Sequence, residues 1–153
     1  MNVENEFDET VRRRIQAVNS AVPGSIGAMM DYRVTGWDPA AGAITMTCRT
    51  FPWMRNFAGT LHGGMCATIL DQAMGFVSYC LKHRDGTAPT VEMNVDYHRP
   101  ITPGETVAVR VSIVSVTRSL IRLRAEAWQK NTPDKLCLSG TGIYFNKPAS
   151  ENP

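Results

Sequence analysis

A long run of mostly apolar residues, followed by segments in which apolar and polar residues alternate, limits the folds open to this chain. The run extends from Gly63 to Lys82 and carries one carboxylate, Asp71. Its apolar residues recur at helical spacing, which predicts a long helix. From residue 89 onward the period changes to two, which predicts strands with one buried face. The first strand carries its apolar residues at Val91, Met93, Val95 and Tyr97.

Shorter patterns complete the prediction of an α+β fold. A short amphipathic helix is expected at 4–19, and a hairpin of strands at 31–37 and 43–49, joined by the turn sequence DPAAG. Later strands are expected at 107–113, at 121–127 and up to Phe145. The apolar face of an antiparallel sheet must be covered, and only the helix at 63–82 is long enough to cover it. The sequence therefore predicts a sheet wrapped on the long helix.

The chain of 153 residues has the length of a single domain. We expect an N-terminal helical segment at 1–24, one domain at 25–148 and a disordered tail at 149–153. No stretch approaches the ~20 apolar residues of a membrane span, and the N-terminus has no signal-peptide pattern, so we expect a cytoplasmic protein without a membrane partner.

Composition argues against several classes of partner. The formal charge is only +2 and the basic residues are scattered, so a nucleic-acid partner is not expected. The four cysteines lie far apart without a C-x-x-C pair, which favours buried free thiols over disulfides or a zinc site. Metal-site and nucleotide-binding motifs are also absent, so no metal and no cofactor is expected.

The helix divides into two faces when its residues are placed at helical spacing around Asp71. The side opposite Asp71 should pack on the sheet and carries Cys66, Ile69, Ala73, Phe76, Val77 and Cys80. The stripe around Asp71 is mostly small and carries Gly64, Ala67, Thr68, Met74, Gly75 and Ser78. Such a stripe leaves room for another backbone or a thin ligand beside the carboxylate.

The start of the helix adds a second chemical group. Gly63 and Gly64 allow close approach to the free N–H groups of the first turn, which suit an anion or a developing oxyanion. Asp71, about two turns further on, could then act as a base or a nucleophile. The alternative is a solvated Asp and a simple loop-to-helix junction.

Two stretches, NFAGTLHGGMCATILDQAMG at 56–75 and TVEMNVDYHRPITPGE at 90–105, resemble the hotdog-fold acyl-CoA thioesterases of the phenylacetyl-CoA and medium-to-long acyl-CoA type. The resemblance covers residues 25–146. It implies a hotdog fold, in which a curved antiparallel sheet wraps one long central helix. It also implies a homodimer joined edge to edge, with active sites at the interface. A homotetramer built from two such dimers is expected as well, and the sequence leaves the choice between dimer and tetramer open. The partner subunit and the pantetheine arm would then occupy the small stripe.

The resemblance also implies roles for individual residues. Asp71 matches the acid that activates water or attacks the thioester, and Asn56 matches an Asn that positions the water or the thioester. His62 matches a His that orients the loop or polarises the carbonyl, and the N–H of Gly63 or Gly64 completes the oxyanion hole. Thr90 matches a Ser or Thr that some members contribute from the other subunit.

The residues expected to contact acyl-CoA are less sharply marked. Arg118 matches a basic residue that helps to bind the nucleotide phosphates, although Thr117 replaces the Gly that usually precedes it. Arg99 is a second candidate for the phosphates. Met65 and Met74 are candidates for contact with the substrate.

Three functions remain open on this basis. The first is hydrolysis of an acyl- or aryl-CoA thioester. The second is non-catalytic binding of acyl-CoA by the same fold. The third, ranked last, is hydration or dehydration of an acyl-CoA, which would also use an Asp and a His.

Overall fold

The computed structural model describes residues 22–82 and 86–147, together with residues 9, 11, 13, 14 and 17. Within residues 22–82 and 86–147, two helices and a short 3-10 turn at Pro52–Met54 accompany six strands. The helices are α1 at Ile26–Met29 and α2 at Gly63–Leu81. The strands are β1 at Arg33–Asp38, β2 at Ala43–Arg49, β3 at Thr90–Tyr97, β4 at Thr106–Val116, β5 at Leu120–Gln129 and β6 at Leu136–Phe145.

The strands form one antiparallel sheet in the order β1-β2-β4-β5-β6-β3. Helix α2 lies on one face of this sheet, in contact with β2 through β6. The six helix residues predicted to pack on the sheet are all buried. The α+β prediction of a sheet wrapped on one long helix is therefore confirmed.

The ends of α2 are fixed by polar contacts. At the C-terminal end, the guanidinium of Arg14 donates to the carbonyl oxygens of Tyr79 at 2.9 Å and Cys80 at 2.7 Å. The last carbonyls of a helix have no partner within the helix, so this cation satisfies two of them and complements the negative end of the dipole. A contact from the N-terminal segment thus holds the end of the central helix.

The hairpin and the long strands begin and end close to their predicted positions, and the main difference lies before β1. The strand was expected from Asp31, but Asp31 has φ of 49° and follows α1, so β1 begins only at Arg33. Helix α1 itself was not predicted; it starts at the N-cap Ser25, whose hydroxyl accepts from the Ala28 N–H at 3.3 Å. Such a one-turn helix is too short to produce a periodic pattern.

The predicted N-terminal helix and C-terminal tail fall mainly outside the described residues. Residues 9, 11, 13, 14 and 17 are helical, and Val11 is 1% exposed. The other residues of the predicted helix lie outside the described part of the chain, as does the tail at 149–153. Within the described part, no helix is long and apolar enough to cross a bilayer.

All four cysteines are buried as free thiols. Burial raises the pKa of Cys48 and Cys80 to about 12, and that of Cys66 to about 11. A thiol is reactive as the thiolate, so these three cysteines are protonated and inert at neutral pH.

The edge strand β3 departs from the predicted burial pattern. Its apolar residues were expected to share one buried face, yet Val91 is 59% and Tyr97 57% exposed. Met93 and Val95 are half-buried and pack against the core. Because β3 lies at the edge of the sheet, the side chains of Val91 and Tyr97 at its two ends remain open to solvent.

Candidate active site

The start of α2 is capped by the side chain of His62. Its Nδ1 accepts from the N–H of Gly64 at 3.0 Å, and its own backbone is extended, with ψ of 137°. This bond assigns the proton of the neutral ring to Nε2. Of the two glycines expected to offer an N–H, Gly64 is therefore engaged. Within residues 22–82 and 86–147, the N–H of Gly63 has no hydrogen-bond partner.

The loop before the helix is held by Asn56. Its Oδ1 accepts from the N–H groups of Ala58 at 3.0 Å and Thr60 at 3.1 Å, and its Nδ2 donates to the hydroxyl of Thr60 at 2.9 Å. The side chain therefore builds the turn that places Gly63. Only the second N–H of Nδ2 remains for a ligand, since an amide nitrogen carries two hydrogens.

A cavity of about 300 Å³ lies beside this helix start. It is lined by Asn56, Thr60, Leu61, Gly63, Cys66, Tyr97, His98, Arg99, Pro100, Ile101 and Leu138. The hydroxyl of Tyr97 donates to the carbonyl of Gly63 at 3.0 Å and joins the end of β3 to the helix. The cavity thus combines an apolar floor with a helix N-terminus and one guanidinium. Asp71 is not among its lining residues.

Asp71 is half-buried on α2, and two hydroxyl groups meet one of its oxygens. Thr90 Oγ1 donates to Asp71 Oδ1 at 3.0 Å, and Tyr144 Oη donates to the same oxygen at 3.0 Å. Thr90 and Tyr144 are direct cross-strand partners on β3 and β6. The contact of Thr90 with Asp71 lies within one chain. A contribution of Thr90 from the other subunit, which the resemblance implied, stays a prediction.

A β-bulge explains how Thr90 reaches the helix. Alternation along β3 places Thr90 with Glu92 on the polar face, away from α2. The register shifts between these two residues, however, because Val91 has no partner on β6. A bulge re-aims the side chains beside it, and here Thr90 turns to the helix side.

Tyr144 was not predicted as a site residue. It is fully buried, and burial, followed by the charge of Asp71, raises its pKa well above the usual range for a tyrosine. The hydroxyl therefore stays protonated and donates. The one signal in the sequence is the series Leu138, Gly140, Gly142, Tyr144 on the inward phase of β6, where two glycines leave room for a large ring.

The four residues expected to contact the substrate are separated by the structure. Arg99 is exposed beside the cavity and donates to the carbonyl of Leu136 at 2.8 Å, while Arg118 is exposed in the β4–β5 turn. Met65 is half-buried against the core. Met74 is fully buried, and a Cβ at Gly142 would lie 3.0 Å from its sulfur. The Met74 side chain occupies the space left by Gly142. Met74 therefore belongs to the core and does not lie on a surface that a substrate could reach.

Acidic and sulfur ligands do not gather anywhere in the described residues. No group of three or more His, Cys, Asp and Glu side chains in 22–82 and 86–147 could hold a metal ion. The polar groups that do converge are the carboxylate of Asp71 with its two hydroxyl donors, and the helix start with the Asn56 loop.

Relatives of known sequence share the region that carries these groups. Over 100 residues the chain is 25% identical to acyl-coenzyme A thioesterase 13 of Homo sapiens, covering 65% of this chain and 71% of that protein. Over 94 residues it is 28% identical to an uncharacterized acyl-CoA thioester hydrolase of Zymomonas mobilis. That match covers 61% of this chain but spans only 58% of the Zymomonas protein.

Solved structures show the same fold at low sequence identity. The PaaI protein from the phenylacetic acid degradation operon of E. coli superposes with a TM-score of 0.76 at 15% identity, over 93% of this chain and 96% of that one. A Streptococcus mutans protein bound to acetyl-CoA superposes with a TM-score of 0.64 at 19% identity, over 76% of this chain and 90% of that one. The antiparallel sheet wrapped around one long helix is thus the hotdog fold.

A family model gives the assignment its firmest support. The model described as the thioesterase superfamily matches residues 58–135, about half of the chain, including the helix start, Asp71 and Thr90. The chain belongs to the thioesterase superfamily.

Proposed function

We propose that this protein is an acyl-CoA thioesterase that works as a homodimer and hydrolyses an acyl- or aryl-CoA to the free acid and CoA. One observation carries the proposal: α2 bears both the Asp71 carboxylate and, at its start, the N–H of Gly63. Thr90 and Tyr144 hold the carboxylate from the neighbouring strands. Family membership and the curated relatives named for acyl-CoA thioester hydrolysis support the same chemistry.

Hydrolysis of a thioester forms a C–O bond at the carbonyl carbon and breaks the C–S bond. In the general-base route, Asp71 takes a proton from water as the water oxygen bonds to the thioester carbonyl carbon. The C–S bond then breaks, and the thiolate of CoA leaves and receives a proton. In the nucleophilic route, Asp71 attacks the carbonyl carbon directly, the C–S bond breaks, and the thiolate of CoA leaves and receives a proton. Water then cleaves the resulting anhydride, which releases the free acid and restores the Asp71 carboxylate. Either route needs a carboxylate at position 71.

The helix start would stabilise the negative charge on the carbonyl oxygen. The N–H of Gly63 belongs to the first turn of α2, where the positive end of the dipole reinforces a hydrogen bond to an anion. Asn56 can add the second N–H of its amide from the neighbouring loop. The Nε2–H of the exposed His62 ring is a further donor at this end.

The Asp71 carboxylate and the Gly63 N–H of one chain are too far apart to contact the same thioester. Asp71 lies eight residues beyond Gly63, which corresponds to about 12 Å along the helix axis. A carbonyl under attack must lie roughly 3 Å from both the attacking group and the oxyanion donor. The carboxylate and the oxyanion donor of one active site must therefore come from two copies of the chain.

The edge strand β3 provides the arrangement that brings the two copies together. Its two ends are tied to the two parts of the site: Thr90 bonds Asp71, and Tyr97 bonds Gly63. Antiparallel pairing of β3 with a second copy around its midpoint places the Thr90 end of one chain beside the Tyr97 end of the other. A dimer of this kind has two equivalent sites, each with Asp71 from one chain and Gly63 from the other.

The surface of β3 is suited to such pairing. It is an edge strand of eight residues, and unpaired edges are usually shortened, charged or covered. The exposed Val91 and Tyr97 at its ends would become covered in the dimer. The members of the small stripe that are not buried, at Gly64, Ala67, Thr68 and Gly75, would then face the partner subunit and the pantetheine arm.

Acyl-CoA is the substrate class that fits these features. The cavity beside Gly63 can take an acyl or pantetheine segment, and Met65 lies on the same turn of α2. Arg99 at this cavity and Arg118 in the β4–β5 turn are the proposed contacts for the CoA phosphates. Guanidinium groups bind phosphates through paired hydrogen bonds.

Release of free CoA from a panel of thioesters tests the proposal. We expect turnover of at least one of acetyl-, hexanoyl-, palmitoyl-, phenylacetyl- and hydroxybenzoyl-CoA, followed with a thiol reagent. The four buried cysteines keep the background from the protein low. Tight binding of these thioesters without any release of thiol would contradict hydrolysis and favour a non-catalytic binder.

A further inference from the structure

The two hydroxyl groups that donate to Asp71 both bond the same one of its two carboxylate oxygens. Both Thr90 and Tyr144 donate to Oδ1, each at 3.0 Å. Within the described ranges 22–82 and 86–147, Oδ2 has no hydrogen-bond partner. A carboxylate oxygen that already accepts two hydrogen bonds has little remaining capacity to accept a proton, so the two oxygens are not equivalent.

We propose that Tyr144 is a positioning residue that commits Oδ1 of Asp71 to the protein and leaves Oδ2 to react with water or the thioester. The inference rests on the proposed function, since it assigns the reacting atom of that same site. Tyr144 is fully buried and offers no surface to a substrate, so it acts through Asp71. Its contribution to the reaction is to hold the Asp71 carboxylate in one orientation.

The packing around the Tyr144 ring supports a dedicated position. A Cβ at Gly142 would lie 2.7 Å from Cε2 of the ring, and a Cβ at Gly75 would lie 3.8 Å from Cε1. The ring thus fills a slot between β6 and α2 that the glycine on the strand keeps open. Because the ring cannot move sideways, the hydroxyl is held at a fixed distance from Asp71.

The protonation state of Tyr144 supports the same role. Its pKa is raised first by burial and then by the negative charge of Asp71, so the hydroxyl keeps its proton throughout the range in which the enzyme would work. It is therefore a permanent donor, and a donor to the charged form of a carboxylate stabilises that form. Thr90 donates as well, but from the exposed end of an edge strand.

Tyr144→Phe tests the inference, because it keeps the ring and removes only the hydroxyl. We expect kcat to fall about tenfold with KM nearly unchanged, which is the effect of losing one hydrogen bond to a charged group. A merely structural role would lower the melting temperature and leave kcat of the folded protein unchanged.

Tyr32→Phe is the matched control. Tyr32 is also a buried tyrosine, and its hydroxyl donates to the same helix, but to the carbonyl of Ile69 at 3.0 Å and not to Asp71. We expect Tyr32→Phe to lower stability while kcat stays at the wild-type value. Equal kcat for Tyr144→Phe and wild type, with Asp71→Asn inactive, would overturn the inference and leave the proposed function standing.

A second readout does not depend on turnover. The chemical shift of the Asp71 carboxyl carbon can be compared by ¹³C NMR at one neutral pH, in wild type and in both tyrosine variants. We expect it to change in Tyr144→Phe only, because only that variant removes a hydrogen bond to the carboxylate. An unchanged chemical shift would overturn the inference even if the protein hydrolysed none of the thioesters, which is the outcome that would overturn the proposed function.

Discussion

Asp71→Asn is expected to lower kcat for thioester hydrolysis by about a thousandfold, within the range that a positioned general base contributes. The amide has the shape of the carboxylate, so Oδ1 can still accept from Thr90 and Tyr144. What is lost is the negative charge that takes a proton from water or attacks the carbonyl carbon. Substrate binding should change little, so the loss should appear in kcat.

The control for this substitution is Asp134→Asn. Asp134 is an exposed carboxylate in the turn between β5 and β6, away from α2, and its replacement should leave turnover unchanged. Initial rates of thiol release for the two variants and wild type, at matched protein concentration, give the comparison. Full turnover by a folded Asp71→Asn protein would exclude Asp71 as base or nucleophile.

Gly63→Pro is expected to lower kcat by about a hundredfold or more, which is the usual effect of removing one oxyanion donor. Proline lacks the N–H and is tolerated at the first position of a helix, which Gly63 occupies. His62 before it already has the extended conformation that a following proline requires, with φ of −61° and ψ of 137°. The substitution should therefore remove the donor while α2 is retained.

Gly63→Ala separates loss of the N–H from the effect of added bulk. Alanine keeps the N–H, and its Cβ would meet the ring of Tyr97 at an ordinary contact distance of 3.7 Å. The ratio of kcat between Gly63→Ala and Gly63→Pro thus measures the N–H itself. Equal rates for the two variants, with unchanged circular dichroism, would exclude Gly63 as the oxyanion donor.

The course of the chain was largely predictable because each main element buries one face over many residues. The bounds expected for α2 differ from those observed by only one residue, and the six residues expected to face the sheet are all buried. Long amphipathic patterns are robust because a shift in register would expose the whole apolar face. The exposed ends of β3 departed from the pattern because edge burial depends on what lies beside the strand.

The site was predictable only where one element carries it. The helix itself places Asp71 on the small stripe, two turns from Gly63, and both follow from helical spacing. Tyr144 reaches Asp71 from a strand 73 positions away along the chain, and no local spacing encodes such a contact. Thr90 needed the bulge at Val91, which simple alternation does not foresee.

The predicted and observed roles also differ for side chains that can choose among several hydrogen bonds or packing positions. His62 and Asn56 were expected at the site, and the structure shows that both also build it, by capping α2 and closing the preceding turn. Burial of Met74 depends on the space at Gly142, on another element. Such choices among partners are decided by tertiary packing, which the local sequence does not contain.

The most direct test of a site shared between two chains is to mix Asp71→Asn with Gly63→Pro, each of which is expected to retain only about a hundredth of wild-type activity or less. A mixed dimer has one site with both groups intact and one site with neither, so after subunit exchange we predict recovery of about a quarter of wild-type activity. Mixing Asp71→Asn with Asp71→Ala should recover none. If the first mixture stays as inactive as its components while exchange is demonstrated, the carboxylate and the oxyanion donor are not combined across the dimer, and the account is contradicted.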